Sequence, residues 1–226
     1  MDWLREDGTI KVAGLGIAEV PDTRGDLREV CTGELRYPAD SVVVLAGIPG
    51  AGKSTLLHRL FPDGGAEYGV RVLDSARLRA DWMQVLGAIP YSWWRPLLHL
   101  GYYVHVLREM RRGGPLVVHD CATRPWVRRL LGWSARRSNL KVHLLLLDVP
   151  ADVARAGQQT RGRVVLSRTM ATHCRRWPHL IEQATEDPGR VVPGAVSALI
   201  LNRRQANEIT GLTFEPASAD PHVPRI

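Results

Sequence analysis

The sequence predicts an α/β fold in which helices cover both faces of a parallel five-stranded sheet. Three observations predict it: short apolar runs alternate with helical segments, a glycine-rich turn joins the first run to a helix, and aspartates close three of the runs. The predicted strands are residues 42–45, 70–73, 115–119, 140–147 and 196–201. Because strands joined through helices run parallel by right-handed crossovers, all five should end at one edge of the sheet.

Helical spacing of apolar residues fills the segments between these strands. The predicted helices are residues 75–86, 93–112, 126–131, 150–156 and 165–184. The second of them has apolar residues three and four positions apart and a basic last turn before Gly113 and Gly114, as a helix terminus should. The chain of 226 residues is long enough for one sizeable core, so we expect one main domain.

The turn after the first strand reads GIPGAGKS, from Gly47 to Ser54, and fits the phosphate-binding pattern G-x-x-x-x-G-K-[ST]. Backbone amides of such a turn converge on an anion at the positive end of the following helix. Lys53 supplies a charge to the outer phosphates, and the Ser54 hydroxyl ligates Mg²⁺. The residues predicted to bind the nucleotide here are Gly47, Pro49, Gly50, Ala51, Gly52, Lys53, Ser54 and Thr55. We therefore predict a P-loop NTPase fold of the kinase type, with ATP and Mg²⁺ as cofactors.

Aspartates close three of the predicted strands, at Asp74, Asp120 and Asp148. Ligands of open parallel sheets bind beyond the carboxyl ends of the strands, so these side chains should share an edge with the P-loop. A carboxylate there can orient an acceptor hydroxyl toward the γ-phosphorus, as predicted for Asp74, or hold Mg²⁺, as predicted for Asp120. The sequence alone leaves these two roles interchangeable. The alternative for Asp74 is that it only caps the helix that begins near Ser75.

Four segments together resemble the polynucleotide kinase and zeta-toxin-like group of AAA-family P-loop phosphotransferases. They are the P-loop, LDSAR (residues 73–77), HDCATR (residues 119–124) and TRGR (residues 160–163). The resemblance covers residues 41–204. It implies that Asp74 is the general base and that Arg77 binds a phosphate of the acceptor. It also implies that Asp120 and Arg124 contact the substrate.

The resemblance further implies a lid near residues 157–168. In the group, lid arginines close on the transferred phosphate and neutralise the charge of the transition state, a role that falls here to Arg161 and Arg163. The chain departs from the group at residues 157–159, which read GQQ where the group often has an arginine and an asparagine. Arg203 follows the last strand, where related kinases hold the adenine base.

Basic residues are concentrated in the second half of the chain. The formal charge is +7, and residues 108–176 hold fourteen arginines and one lysine against four acids, a net +11 that leaves −4 elsewhere. Arginine grips phosphate bidentately, but a GC-rich coding sequence also favours arginine, so a phosphate-rich partner and a solvated face stay as alternatives. The tryptophans that lie among these arginines are Trp93, Trp94, Trp126, Trp133 and Trp177. Such an arrangement suits a single-stranded nucleic acid, although most tryptophans pack in cores.

These observations predict an ATP-dependent phosphotransferase that moves the γ-phosphate to a hydroxyl group. The leading acceptor is the 5′-hydroxyl of a single-stranded nucleic acid. The alternatives are a small-molecule or nucleotide-sugar kinase and a nucleic-acid-binding ATPase that transfers no phosphate. The predicted division of the chain is an N-terminal extension over residues 1–40, a kinase domain over residues 41–215 and a flexible tail over residues 216–226. Within the extension, residues 9–12 and 15–20 form a predicted hairpin.

The N-terminal region has neither the basic start nor the apolar run of a signal peptide. No segment approaches the roughly 18 apolar residues of a membrane span. We therefore expect no membrane partner and a cytoplasmic location. Cys31, Cys121 and Cys174 are odd in number and far apart, which predicts reduced thiols rather than disulfides or a zinc site.

Overall fold

The computed structural model describes residues 17–19, 24–26, 33–159 and 167–215. The strands in these ranges are Ile17–Glu19 (β1), Arg24–Asp26 (β2), Glu34–Pro38 (β3), Ser41–Gly47 (β4), Arg71–Leu73 (β5), Leu116–His119 (β6), Lys141–Leu147 (β7), Ala195–Leu201 (β8) and Gly211–Glu215 (β9). Six of them form one sheet in the order β2-β8-β7-β4-β6-β5, and every neighbouring pair is parallel. Five of these strands are the predicted five, which confirms the parallel α/β sheet, and β2 adds an edge beside β8.

A second, three-stranded parallel sheet has the order β1-β3-β9. β3 pairs with β9 along its whole length, from Glu34 opposite Gly211 to Pro38 opposite Glu215. The boundary predicted at residue 40 therefore crosses a sheet that joins the predicted extension to the predicted kinase domain. Of the predicted hairpin, residues 17–19 form β1, whose partner is β3, whereas residues 9–12 lie outside the described residues, as does the predicted tail.

Helices connect the strands of the large sheet and cover both of its faces. They are Lys53–Leu60 (α1), Ser75–Leu86 (α2), Tyr91–Arg111 (α3), Pro125–Arg137 (α4), Ala151–Gln159 (α5), Ser167–Glu186 (α6), Pro188–Val191 (α7) and Arg203–Glu208 (α8), with a 3₁₀ turn at Ala66–Tyr68. Because the chain reverses its direction across the sheet after β5, right-handed crossovers put α1 on one face and α3, α4 and α6 on the other. α8 lies with α1, where the Arg59 guanidinium donates to the carbonyls of Ala206 and Asn207.

The core lies around the two central strands, β4 and β7. All seven residues of β4 are buried, as are six of the seven in β7. A parallel sheet covered on both faces requires such continuous apolar strands, and each buried Val or Leu contributes roughly 1.5–3 kcal/mol. The P-loop thus follows the most deeply buried strand of the molecule. None of the helices in the described ranges combines the length and the apolar character that crossing a bilayer requires.

His143 is buried within β7, at the opposite end of the sheet from the P-loop. Its Nδ1 lies 2.7 Å from Ser197 Oγ and its Nε2 lies 3.1 Å from Ser41 Oγ. The ring also contacts Tyr37 edge to face, with the two centroids 5.0 Å apart. Burial, with a smaller effect of the Lys141 charge, lowers the pKa of His143 from 6.5 to about 4.

We expect His143 to make the folded state sensitive to acid. Between pH 6.5 and 4 the unfolded chain binds a proton that the folded chain rejects, so the free energy of unfolding should fall by about 3 kcal/mol as the pH falls through this range. Chemical denaturation at a series of pH values measures this slope. His143→Gln should flatten it, whereas the exposed His179→Gln should not. Parallel curves for wild type and His143→Gln would contradict the assignment.

Candidate active site at the P-loop edge

The P-loop joins β4 to α1 with a backbone that requires glycine. Gly50 and Gly52 have φ angles of +89° and +109°, in the left-handed region that other residues avoid. A Cβ atom on Gly50 would lie 2.1 Å from the carbonyl oxygen of Ala154, so α5 packs directly against the loop. α1 begins without a side-chain cap and without an acid in its first turn, which leaves its N-terminal amides for an anion.

Lys53 lies inside this loop rather than in solvent. Its Nζ donates to the carbonyl oxygens of Gly47 at 2.7 Å and Ile48 at 3.0 Å, and the residue is 5% exposed. Among the described residues no carboxylate pairs with it. An ammonium group held only by carbonyl dipoles is placed to bind phosphate oxygens. Ser54 is half-buried beside it and Thr55 is exposed, both in the first turn of α1.

Asp74 and His119 form a pair at the carboxyl ends of β5 and β6. His119 Nδ1 lies 2.5 Å from Asp74 Oδ1, and the same oxygen accepts a hydrogen bond from the Ala76 amide at 2.8 Å. Asp74 is therefore the N-cap of α2, as the alternative interpretation predicted, and also the partner of His119. Both bonds reach Oδ1, so Oδ2 is the oxygen placed to receive a proton.

The surroundings keep Asp74 ionised. Burial raises the pKa of Asp74, but the hydrogen bond and charge of His119, the Ala76 amide and the charge of His58 together outweigh it, so the pKa lies below the ordinary value. The Tyr102 hydroxyl of α3 contacts the backbone at both members of the pair. It lies 3.0 Å from the carbonyl oxygen of Leu73, which precedes Asp74, and 2.6 Å from the carbonyl oxygen of His119.

Asp120 is the next residue after His119 and lies beside the P-loop strand. Its amide donates to the Leu45 carbonyl at 3.1 Å, while its two carboxylate oxygens accept from the Tyr103 hydroxyl and the Ala122 amide, each at 3.0 Å. Asp148, at the end of β7, accepts from the indole of Trp177 at 2.9 Å. Asp74, Asp120 and the P-loop thus share one edge of the sheet, as the strand ends predicted.

Other residues named in the sequence analysis lie around this edge at different places. Arg124 precedes α4 at the P-loop edge and is half-buried. Arg77 points its guanidinium at Gly64, where an added Cβ atom would lie 2.5 Å from Nη1. Arg203 lies against α5, with Nη2 3.3 Å from the Cβ position of Gly157. Arg161 and Arg163 fall in residues 160–166, outside the described residues.

Two groups in this site went unrecognised in the sequence. A histidine inside a predicted strand is typically a core residue with satisfied hydrogen bonds, but the side chain of His119 is 12% exposed and bonds Asp74. Tyr103 holds Asp120 from α3, and no local pattern distinguishes it from other apolar positions of that helix. The adjacent His119 and Asp120 at a strand end were the available signal for the first. Burial raises the pKa of the Cys121 thiol.

The residues fit ATP and Mg²⁺. The backbone at Gly50 and Gly52, the N-terminus of α1 without a side-chain cap, and Lys53 together form a cradle for phosphates. In the described ranges no three His, Cys, Asp or Glu side chains group closely enough to hold a metal alone. Phosphoryl-transfer sites need only one or two protein ligands for Mg²⁺, because the nucleotide phosphates and waters supply the others. Ser54 and Asp120 are the candidates.

The model of the AAA_33 family, an AAA domain, matches residues 42–176. The chain belongs to this family. The match contains the P-loop, Asp74, His119, Asp120 and Arg124, whereas Trp177 and Arg203 lie beyond it. Together with the parallel sheet, it gives this chain the fold of a P-loop kinase. The finer resemblance to the polynucleotide kinase and zeta-toxin-like group stays a prediction.

Three solved structures are similar to this chain at low identity. A chain of the PezAT toxin-antitoxin system of Streptococcus pneumoniae is 17% identical, with a TM-score of 0.44 and coverage of 57% of this chain and 55% of that one. A kinase described as putative from Chloroflexus aurantiacus is 14% identical, with a TM-score of 0.47 and coverage of 74% and 86%. A gluconokinase from Sinorhizobium meliloti is 13% identical, with a TM-score of 0.46 and coverage of 77% and 89%. No curated protein matches the sequence significantly.

Proposed function

We propose that this chain is an ATP-dependent kinase that transfers the γ-phosphate to a hydroxyl group of a small molecule. The observation that carries the proposal is the P-loop and the Asp74–His119 pair on one edge of the sheet. A phosphate cradle and an ionised carboxylate on the same side are the two parts that phosphoryl transfer to a hydroxyl needs.

In this proposal each group has one task. ATP would supply the phosphoryl group, and Mg²⁺ would neutralise part of the negative charge of the phosphates. The P-loop amides and Lys53 bind the outer phosphates, and Ser54 and Asp120 are the candidate Mg²⁺ ligands. Asp74 accepts the hydroxyl proton at Oδ2, while His119 and the Ala76 amide hold Oδ1 and fix the orientation of the carboxylate. Arg161, Arg163 and Arg203 keep the lid and adenine roles predicted for them.

The tryptophans favour a small acceptor over a nucleic acid strand. Trp94 is buried and donates to the Ile89 carbonyl at 3.1 Å, and Trp177 is buried against Asp148, so neither is available for stacking on bases. Trp93, Trp126 and Trp133 are exposed, but Trp126 contacts the ring of Tyr103, and the Arg137 guanidinium lies over Trp133. The tryptophans that lie among the arginines in the sequence therefore do not form one continuous surface on which the bases of a nucleic acid could stack.

The basic segment is also divided between the two ends of the strands, the carboxyl end that carries the P-loop and the opposite, amino end. Arg108 and Arg111 end α3, and Arg136 and Arg137 end α4, so these four lie near the starts of the strands that follow. Arg124, in contrast, lies at the start of α4 on the P-loop edge. A backbone-tracking surface needs its cations along one groove. This separation supports a compact acceptor.

Product analysis with radiolabelled γ-phosphate tests the proposal. The acceptors are a panel of small hydroxyl compounds and a single-stranded oligonucleotide with a 5′-hydroxyl, with the 5′-phosphate form as its control. We expect label on a small compound and none on the oligonucleotide. Label on the 5′-hydroxyl oligonucleotide alone would reinstate the nucleic acid acceptor, and label only in free phosphate would indicate an ATPase.

A further inference from the structure

Basic side chains from three helices lie near one another at the P-loop end of the sheet, and the charge of Asp120 acts on two of them, His99 and His173. This basic cluster comprises Arg95 and His99 from α3, Arg124 and Arg128 at the start of α4, and His173 and Arg176 from α6. Burial, followed by the charges of Arg124 and Arg95, lowers the pKa of His99. Burial and the charges of Lys53, Arg124 and Arg176 likewise lower the pKa of His173. The cations are therefore close enough to act on one another.

Hydrogen bonds attach α6 to the segment that leads into α4. Thr123 is buried, and its hydroxyl lies 2.8 Å from His173 Nδ1. Arg176 Nη1 donates to the Thr123 carbonyl at 3.4 Å. These contacts hold the arginine of α6 beside those of α4. The P-loop end of the sheet thus carries a second group of cations in addition to Lys53, whose charge reaches His173.

In the part of the chain that the structure describes, the arginines of the basic cluster lack acidic partners. Across residues 33–159 and 167–215, no ion pair involves Arg95, Arg124, Arg128 or Arg176. Arg128 Nε is buried and lacks a hydrogen-bond partner within the same ranges. Asp120, whose charge acts on His99 and His173, carries a single negative charge against these four arginines, and its oxygens accept from Tyr103 and Ala122. Like charges held together raise the energy of the folded state unless an anion joins them.

The start of α4 adds to this positive field. The helix runs from Pro125 to Arg137 with no acid in its first turn and no side-chain cap, so its positive dipole end faces the same region. We infer that the basic cluster binds an anionic group of the acceptor, a phosphate or a carboxylate, through Arg124, Arg128 and Arg176. Arginine forks bind both groups bidentately. The inference rests on the proposed kinase function and narrows its acceptor to small hydroxyl compounds that are themselves anions.

A titration separates this site from the P-loop. The protein is first saturated with Mg²⁺ and a non-hydrolysable ATP analogue, which occupies the P-loop, and inorganic phosphate is then titrated by calorimetry. A second arm uses malonate to distinguish a phosphate from a carboxylate preference, and glycerol is the neutral control. We expect one further anion to bind. Arg128→Gln and Arg176→Gln should each weaken it about 10- to 100-fold, because each loses a charge-assisted hydrogen bond.

Arg111→Gln is the matched control, since Arg111 is exposed at the far end of α3 and should leave anion binding unchanged. Arg176 is also exposed, so Arg176→Gln should fold normally, as thermal melting will verify. If phosphate binds only in the absence of the nucleotide analogue, phosphate and nucleotide share one site. That result would overturn the inference. Equal affinity in wild type and both variants would also overturn it.

Label transfer then connects the site to the acceptor. Matched pairs such as glycerol with glycerol 3-phosphate, and ribose with ribose 5-phosphate, differ only in the anionic group. We expect transfer to an anionic member and a raised KM in Arg176→Gln with a smaller change in kcat. Equal transfer to both members of a pair would refute the inference. A lack of transfer to any compound would refute the kinase proposal instead, while the titration would still decide whether the cluster binds an anion.

Discussion

Lys53→Ala is expected to lower phosphate transfer by roughly 10²–10³-fold and to weaken ATP binding, with the domain still folded. The ammonium group is held by the carbonyls of Gly47 and Ile48 and pairs with no carboxylate in the described part of the chain. Burying a charge without an acidic partner costs free energy, so its removal should leave the melting temperature unchanged or higher. The loss should therefore appear in function alone.

Calorimetric titration of ATP, a transfer assay and thermal melting measure the three quantities. Lys141→Ala is the matched control, because Lys141 is 46% exposed and lies 3.9 Å from Asp40 at the opposite end of β7. We expect the control to match wild type in all three. Wild-type ATP affinity in folded Lys53→Ala would show that the nucleotide binds elsewhere.

Asp74→Asn is expected to reduce phosphate transfer by about 10²–10⁴-fold while ATP binding persists. The amide oxygen of asparagine can still cap α2 through the Ala76 amide, so stability should change little. What disappears is the oxygen that accepts the proton. Asp81→Asn, an exposed position on the same helix, is the control. A wild-type rate of transfer by Asp74→Asn would exclude Asp74 as the base. Asp120→Asn should instead raise the Mg²⁺ concentration that activity requires.

The pH profile of transfer provides a second test of the Asp74–His119 pair. Because His119 helps to hold the pKa of Asp74 below its ordinary value, wild-type transfer should continue into the acid range until Asp74 is protonated. His119→Gln removes the charge contribution, so the acid limb should move to higher pH. A purely structural role of His119 would lower the rate equally at every pH.

The local parts of the fold follow from the sequence. The P-loop is a continuous motif, and its Gly50 and Gly52 have the positive φ angles that the pattern implies. The central strands β4 and β7 are continuous apolar runs because both of their faces are buried, and α2 spans the predicted residues 75–86. Once these strands are parallel, the common edge of Asp74, Asp120 and the P-loop follows from topology.

The partners of side chains follow only from the tertiary structure. The pairing of β3 with β9 joins segments that are short and far apart in the chain. β3 alternates between buried and half-buried residues, but this alternation does not identify its partner strand. The environment of Trp94 and Trp177 is equally invisible locally, because a tryptophan has the same spacing in the core as on a surface.

The site shows the same division. The sequence by itself determined the phosphate cradle and the carboxylates at the strand ends, because each depends on residues adjacent in the chain. The tertiary structure adds that His119 bonds Asp74, that Tyr103 donates to Asp120, and that Arg176 of α6 lies beside the start of α4. These arrangements depend on how helices pack across the sheet, and the free energy of such packing comes from contacts between residues far apart in sequence.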